Sequence, residues 1–156
     1  MATPASPQIK SSEHPFFKMK STKIDIYNHV MPLAYLELVK KHGKEPGMIK
    51  RMSNLRMLWD MPARVQMLEQ FPEVQQIISL AVPSPEMLGG PELSPEFARV
   101  ANEGMAEICR QWPEKFPGFV ASLPMNNPAA ALLEIDRKST RLNSSHIPLS
   151  RMPSSA

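Results

Sequence analysis

Residues 23–32 have the sequence KIDIYNHVMP, and this stretch decides how the chain begins to fold. Its first half alternates apolar and polar side chains, which is the period of a β-strand. The alternation breaks at Asn28, and Pro32 suits the first position of a helix because its φ is fixed and it has no amide hydrogen to leave unpaired. We therefore predict a strand up to Tyr27, a loop that contains His29, and a helix from Pro32. The carboxyl ends of parallel strands bind ligands and metals, so His29 is the first candidate site residue.

The rest of the chain repeats the order of a strand followed by a helix. Predicted N-cap residues mark three helix starts, at Asp60, Ser94 and Asn127. Alternating strands and helices predict an α/β fold in which right-handed crossovers make the strands parallel neighbours. The predicted elements after the first strand are helix 32–42, helix 62–71, strand 76–82 (QIISLAV), helix 94–111, strand 119–123 (FVASL) and a helix from 128.

Two further features leave alternatives open. Residues 44–59 are rich in Met, Lys and Arg and have no clear period, which favours a surface loop with partly buried methionines over a lid that binds carboxylates. Cys109 lies on the predicted helix 94–111, whose apolar residues recur at helical spacing. A thiol in that position is more typical of a packed core residue than of a nucleophile.

The composition is that of one globular domain. The chain has 156 residues, of which 42% are apolar, and a single cysteine. One cysteine excludes a disulfide framework and a cysteine-ligated zinc cluster, which favours a reducing compartment. No apolar run is long enough for a membrane span, and residues 1–22 lack the apolar centre of a signal peptide. We therefore expect a cytoplasmic protein with no membrane partner.

The net charge of +3 is concentrated at the end of the chain. Residues 136–156 contain four basic side chains and one acidic side chain, and the remaining residues contain 14 of each sign. A neutral body does not have the basic surface that nucleic-acid binding requires. We therefore expect no nucleic-acid partner.

The last 21 residues are also unusual in sequence. Residues 136–156 have no helical or strand period and little apolar bulk, as in a disordered terminus. A common short-read sequencing adapter, translated in one frame, gives DRKSTRLNSSH, which is residues 136–146, and its downstream part gives SRMPSSA at the end of the chain. We therefore expect three regions: a flexible arm over 1–22, a folded region over 23–135, and a non-native tail over 136–156.

Residues 23–135 resemble the amidohydrolase superfamily, in particular the branch similar to aminocarboxymuconate-semialdehyde decarboxylase. The resemblance is carried by KIDIYNHVMP, by VQQIISLAVPSPE at 74–86, and by FARVANEGMAEICRQWPEKFPGFVASLP at 97–124. It implies that the folded region is about the first three of the eight strand–helix units of a TIM (β/α)8 barrel.

The resemblance also implies a metal site. In this family the first strand usually ends in His-x-His, which holds a divalent metal, and zinc is the expected ion. His29 matches the second histidine, but Tyr27 stands in place of the first, and a phenol is a poorer ligand than an imidazole. Either this subgroup uses fewer ligands from the first strand, or Tyr27, and with it Asn28, contacts the substrate. The family's other ligands, two histidines and an aspartate from later strands, would lie beyond Ile135.

By the same resemblance, the complete protein is a carboxy-lyase. It would release carbon dioxide from an unsaturated or aromatic carboxylic acid, using the metal and no organic cofactor. A metal-dependent hydrolase of amide, lactone or ester bonds is the alternative within the family, because fold does not choose the reaction. A small non-catalytic interaction module is the alternative from another class. We expect the 156-residue chain itself to be an inactive fragment and allow a homo-oligomeric parent enzyme.

Overall fold

The computed structural model describes residues 22–142, and this part of the chain alternates short strands with helices. The strands are β1 (Lys23–Asp25), β2 (His29–Val30), β3 (Val74–Leu80) and β4 (Gly118–Phe119). The helices are α1 (Leu33–His42), α2 (Pro46–Asn54), α3 (Arg56–Trp59), α4 (Met61–Leu68), α5 (Pro85–Leu88), α6 (Ser94–Gln111) and α7 (Pro128–Leu142). No helix in this range is long and apolar enough to cross a bilayer.

The strands form one parallel sheet around β3. β1 and β2 pair with one edge of β3, where Lys23 is opposite Val74 and His29 is opposite Ser79. β4 pairs with the other edge, where Gly118 is opposite Ile77. The predicted α/β fold with parallel, neighbouring strands is confirmed.

The first strand differs from the prediction. We expected a continuous strand to Tyr27 with His29 in the loop after it, but the strand is interrupted after Asp25 and His29 begins β2. The side chain of Asn28 explains the interruption, because its Nδ2 donates to the carbonyl of Ile77 on β3 at 3.0 Å and to the carbonyl of Asp25 at 3.0 Å. A side-chain amide thus takes the place of a ladder hydrogen bond. The strand resumes at His29 with one extra residue relative to β3, because Asp25 is opposite Gln76 and His29 is opposite Ser79.

Two of the three predicted helix caps are confirmed. Asp60 accepts a hydrogen bond from the amide of Ala63 at 3.0 Å, and Asn127 accepts one from the amide of Ala130 at 3.1 Å. Ser94 is not a cap. It lies in the first turn of α6, where it is fully buried and its hydroxyl donates to Asn126.

One local prediction on the helices is wrong, and one helix face contains an unexpected residue. Residues 44–59, expected to be irregular, form α2 and α3. In α4, Leu68 is buried and Val65 and Met67 pack, partly buried, against the same apolar cluster, but the other buried residues of the helix are Met61 and Arg64. The apolar side chains of α4 are therefore only part of its inner face, and a guanidinium fills the rest.

Two apolar clusters hold the helices to the sheet. One lies between α1 and α6 around Tyr35 and Phe97, and the other lies under β2 and β3 around Ile78 and Phe116. The predicted apolar stripe of α6 supplies both clusters with buried residues at helical spacing (Phe97, Ala101, Met105 and Ile108).

The predicted region boundaries are only partly covered. Residues 1–21 of the predicted arm and residues 143–156 of the predicted tail lie outside the described residues. α7 runs through the predicted boundary after Ile135 as far as Leu142. Within it, the Arg137 guanidinium contacts Glu134 at 2.7 Å and Glu103 of α6 at 3.1 Å. The non-native origin of residues 136–156 stays a prediction.

Candidate functional site

His29 lies at the start of β2, near the carboxyl end of the neighbouring strand β3. Its ring is exposed, and its Nδ1 lies 2.8 Å from the hydroxyl of Ser79, its register partner on β3. The same hydroxyl lies 2.8 Å from the carbonyl oxygen of Asn28. Two neighbouring strands therefore hold the imidazole at one edge of the sheet.

These two contacts of Ser79 decide which nitrogen of His29 carries the proton. A hydroxyl has one hydrogen, and the carbonyl of Asn28 can only accept, so the Ser79 hydroxyl donates to that carbonyl. It must then accept a hydrogen bond from Nδ1–H of His29. The neutral ring consequently keeps its lone pair on Nε2. A lone pair in a fixed direction, with Nδ1 held by a protein oxygen, is the arrangement of metal-binding histidines.

Tyr27 stands beside this histidine. Its ring meets that of His29 edge-on, with centroids 5.7 Å apart and an interplanar angle of 66°. The tyrosine side chain is 87% exposed, and its main-chain amide donates to the Asp25 carboxylate at 3.0 Å. The structure thus brings two of the three predicted site residues together on the exposed side of the strand break.

Asn28, the third predicted site residue, points the other way. It is 8% exposed, its Nδ2 bonds two main-chain carbonyls, and its Oδ1 accepts from Arg64 at 2.8 Å. Its polar atoms are occupied within the protein. A substrate contact by Asn28 has no support in this geometry and stays a prediction.

Arg64 was not predicted as a site residue, although its buried side chain forms hydrogen bonds with the residues of the site. Its Nη1 donates to the carbonyl of His29 at 2.6 Å, its Nη2 donates to Asn28, and its Nε donates to Gln76 of β3 at 2.9 Å. Gln76 in turn donates to the Asp25 carboxylate at 2.8 Å. Burial lowers the pKa of the Arg64 guanidinium, and the charge of Asp25 opposes that shift. The residues on both sides of the strand break are thus tied to one side chain.

A signal for this network was present in the sequence. Arg64 lies three residues after Met61 and four before Leu68, so it falls on the apolar stripe of its helix. Gln76 likewise begins the apolar strand QIISLAV. A charged and a polar residue at buried positions indicate a satisfied network, but which partners they meet depends on contacts distant in sequence.

The geometry of His29 is compatible with metal binding, which stays a prediction. His29 fits as one ligand, because its Nε2 is free of the Ser79 contact. Within residues 22–142 no three His, Cys, Asp or Glu side chains converge in a group that could hold a metal ion. A complete site would need ligands from elsewhere in the protein.

Cys109 does not contribute to this edge of the sheet. It is partly buried against the cluster around Ile78 and Phe116, and burial raises the pKa of its thiol to about 11. A neutral, packed thiol is a poor nucleophile near pH 7. The structure supports the core interpretation of Cys109.

The sequence is similar to those of known decarboxylases. The chain is 32% identical over 100 residues to the gamma-resorcylate decarboxylase of Rhodococcus jostii (strain RHA1), which covers 64% of this chain and 30% of that protein. It is 30% identical over 95 residues to the gamma-resorcylate decarboxylase of Rhizobium radiobacter, covering 61% of this chain and 29% of the relative. The chain is homologous to the gamma-resorcylate decarboxylases. It spans about 30% of the length of these curated relatives. No family model matches it.

Solved structures of gamma-resorcylate (2,6-dihydroxybenzoate) decarboxylases share the fold. A 2,6-dihydroxybenzoate decarboxylase in complex with 2,6-dihydroxybenzoate matches 79% of this chain and 37% of its own, with a TM-score of 0.60 and 26% identity. The dihydroxybenzoic acid decarboxylase of Polaromonas sp. JS666, with bound manganese and the inhibitor 2-nitroresorcinol, matches 79% and 36%, with a TM-score of 0.60 and 29% identity. A putative amidohydrolase from Staphylococcus aureus matches 78% of this chain and 35% of its own, with a TM-score of 0.55 and 27% identity. The predicted relation to the decarboxylase branch of the amidohydrolase superfamily is confirmed, and with it the fold of the N-terminal part of a TIM barrel.

Proposed function

We propose that this chain is the N-terminal part of a metal-dependent, non-oxidative decarboxylase that acts on an aromatic carboxylic acid of the dihydroxybenzoate type. The observation that carries the proposal is His29, whose Nε2 lone pair is fixed by Ser79 at the edge of the sheet where barrel enzymes bind their substrates. The similarity to gamma-resorcylate decarboxylases supplies the reaction class and the substrate class.

In this proposal His29 is one ligand of a divalent metal and Tyr27 borders the substrate. A bound divalent cation would supply positive charge to orient a substrate carboxylate or phenolate. Ser79 keeps Nδ1 protonated so that Nε2 faces the ion. The exposed phenol of Tyr27 lies beside the same ring and can donate a hydrogen bond to an anionic substrate. Manganese in the Polaromonas relative supports a divalent metal, and zinc is the second candidate.

The proposal is tested on the complete protein, extended beyond this chain. Carbon dioxide release from 2,6-dihydroxybenzoate is measured after chelation and after separate additions of Mn²⁺ and Zn²⁺. We expect chelation to abolish activity and one of the two metals to restore it. Hydrolysis of ester, lactone or amide substrates without decarboxylation would refute the reaction and favour the hydrolase alternative.

A pair of histidine variants tests the ligand. His29→Gln should lower metal occupancy and reduce kcat/KM about 100-fold or more, because it removes a direct ligand. His42→Gln is the control, since His42 lies on α1 against Phe97, with ring centroids 5.0 Å apart. Full metal occupancy and activity in His29→Gln would refute the role of His29.

A separate prediction concerns the 156-residue chain itself. With one candidate histidine and no group of three ligands in its described part, we expect weak metal binding and no turnover. Stoichiometric, tight binding of Zn²⁺ or Mn²⁺ by the purified chain would contradict this expectation. Binding of a protein partner by the metal-free chain would favour the interaction-module alternative.

A further inference from the structure

We propose that Arg64 is a positioning residue: it fixes the break in the first strand and so sets the direction in which the His29 imidazole points. The proposal rests on the proposed function only for the purpose of this orientation, which is metal binding by His29. In this proposal Arg64 contacts neither a substrate nor a metal. It acts through its hydrogen bonds to the main-chain carbonyl of His29 and to the side chain of Asn28.

The contacts of Arg64 converge on the break. Arg64 is 6% exposed, and its guanidinium donates to acceptors on three different segments. These acceptors are the carbonyl of His29 at 2.6 Å, Oδ1 of Asn28 at 2.8 Å, Oε1 of Gln76 at 2.9 Å and, more weakly, the carbonyl of Met57 at 3.3 Å. Only an arginine has enough donors in one plane to reach this set.

The unfavourable free energy of burying the Arg64 guanidinium indicates that its charge does more than fill space in the core. Every hydrogen-bond acceptor found for it among residues 22–142 is neutral, and its link to the Asp25 carboxylate runs through Gln76. A buried cation without a direct counter-charge is unfavourable, whereas an apolar side chain in α4 would pack at no such cost. The guanidinium also lies 6.0 Å from the centroid of the Phe116 ring, which offers only a weak compensation.

The contacts also explain how the effect reaches the imidazole. Arg64 holds Oδ1 of Asn28, which leaves Nδ2 of Asn28 pointing at the carbonyls of Asp25 and Ile77. The carbonyl of Asn28 then meets the Ser79 hydroxyl, and that hydroxyl receives Nδ1–H of His29. Without the guanidinium, Asn28 is free to turn and the carbonyl of His29 loses its donor. The register between His29 and Ser79 should then loosen.

The experiment reads the imidazole directly in the metal-free 156-residue chain. The ¹⁵N shifts of the His29 ring are recorded by NMR at a pH well above the ordinary titration range of histidine, so that neutral rings are compared. We expect a single tautomer with Nδ1 protonated in the unsubstituted chain. We expect loss of that single tautomer, with averaged shifts of the two nitrogens, in Arg64→Lys and Arg64→Met. Ser79→Ala should give the same averaging, because it removes the acceptor of Nδ1–H.

A matched arginine provides the control. Arg99 is exposed on α6 and pairs with Glu103 at 3.3 Å, so Arg99→Lys and Arg99→Met should leave the His29 shifts unchanged. An unchanged His29 spectrum in a folded Arg64→Lys or Arg64→Met chain overturns the proposal. If neither Arg64 variant folds, the proposal is also overturned, because a role in folding then suffices. No metal or substrate is present, so these outcomes are independent of whether the complete protein is a decarboxylase.

Discussion

Gly104 of α6 packs against Pro32 at the start of α1, and replacing the glycine with alanine tests how tightly that contact is packed. A Cβ at position 104 would lie 2.4 Å from Cβ and 2.8 Å from Cγ of Pro32. Both distances are shorter than real carbon contacts, and the proline ring cannot rotate away. Gly104→Ala must therefore move α6 or the start of α1.

The magnitude follows from two opposing effects. Overpacking of this kind costs about 1 to 3 kcal/mol, whereas replacing a helical glycine with alanine contributes about 1 kcal/mol in favour of folding. The expected net loss in free energy of unfolding is about 0 to 2 kcal/mol for Gly104→Ala. Gly47→Ala in α2 is the matched control, because its Cβ would meet nothing within 4 Å. That substitution should stabilise by up to about 1 kcal/mol.

The assay is equilibrium unfolding in urea, with the midpoint and the slope compared for the two variants. We expect Gly47→Ala to exceed Gly104→Ala by about 1 to 3 kcal/mol at equal slopes. Equal stability of the two variants would show that the α1–α6 contact relaxes freely and would refute the packing argument. Because Pro32 follows His29 by three residues, Gly104→Ala should also shift the His29 ring resonances.

Three further predictions concern other residues. Asp60→Ala should lower Tm because the amide of Ala63 loses its acceptor, whereas Asp60→Asn should keep the cap. The Ala63 amide holds the pKa of the Asp60 carboxyl below its ordinary value. The stabilisation by Asp60 is therefore present above about pH 4 and is lost as the pH falls. Acid unfolding of the unsubstituted chain and of Asp60→Asn, measured side by side, checks this. Asn102→Asp should destabilise by at least ~2 kcal/mol in urea, because the buried amide donates to Glu134 at 2.7 Å and a carboxylate there would face another carboxylate. Cys109 should react slowly with iodoacetamide at pH 8 and faster toward pH 11, and the stability that its neutral thiol contributes should be lost as the pH rises through about 11; fast alkylation at pH 8 would contradict this.

The candidate site was predictable where it depends on neighbouring residues. The alternation that ends near Tyr27, followed by Pro32, was enough to place His29 at the carboxyl edge of the sheet. Asp60 and Asn127 were recognisable as caps because a cap bonds an amide three residues away. Ser94 has the same local signature, and only its burial against Asn126 shows that it has another role.

The partners of the site residues could not be predicted in this way. Arg64 lies 36 positions from Asn28, and Ser79 lies 50 positions from His29, so no local pattern links them. The exact break in the first strand has the same origin, because it depends on the Asn28 amide reaching a carbonyl 49 positions away. Sequence periodicity predicts which elements form, but side-chain hydrogen bonds between elements decide where they are interrupted.

The sequence by itself determined that parallel strands alternate with helices and that His29 lies at the carboxyl edge of the sheet. It could do so because strand period, proline and caps act within a few residues. Only the tertiary structure decided which nitrogen of His29 is free of the Ser79 contact and that the side chain of Asn28 forms its hydrogen bonds inside the protein. It also showed that Arg64 donates hydrogen bonds to both residues. Those outcomes depend on donors and acceptors that meet when distant segments pack, since each buried polar group must find a partner.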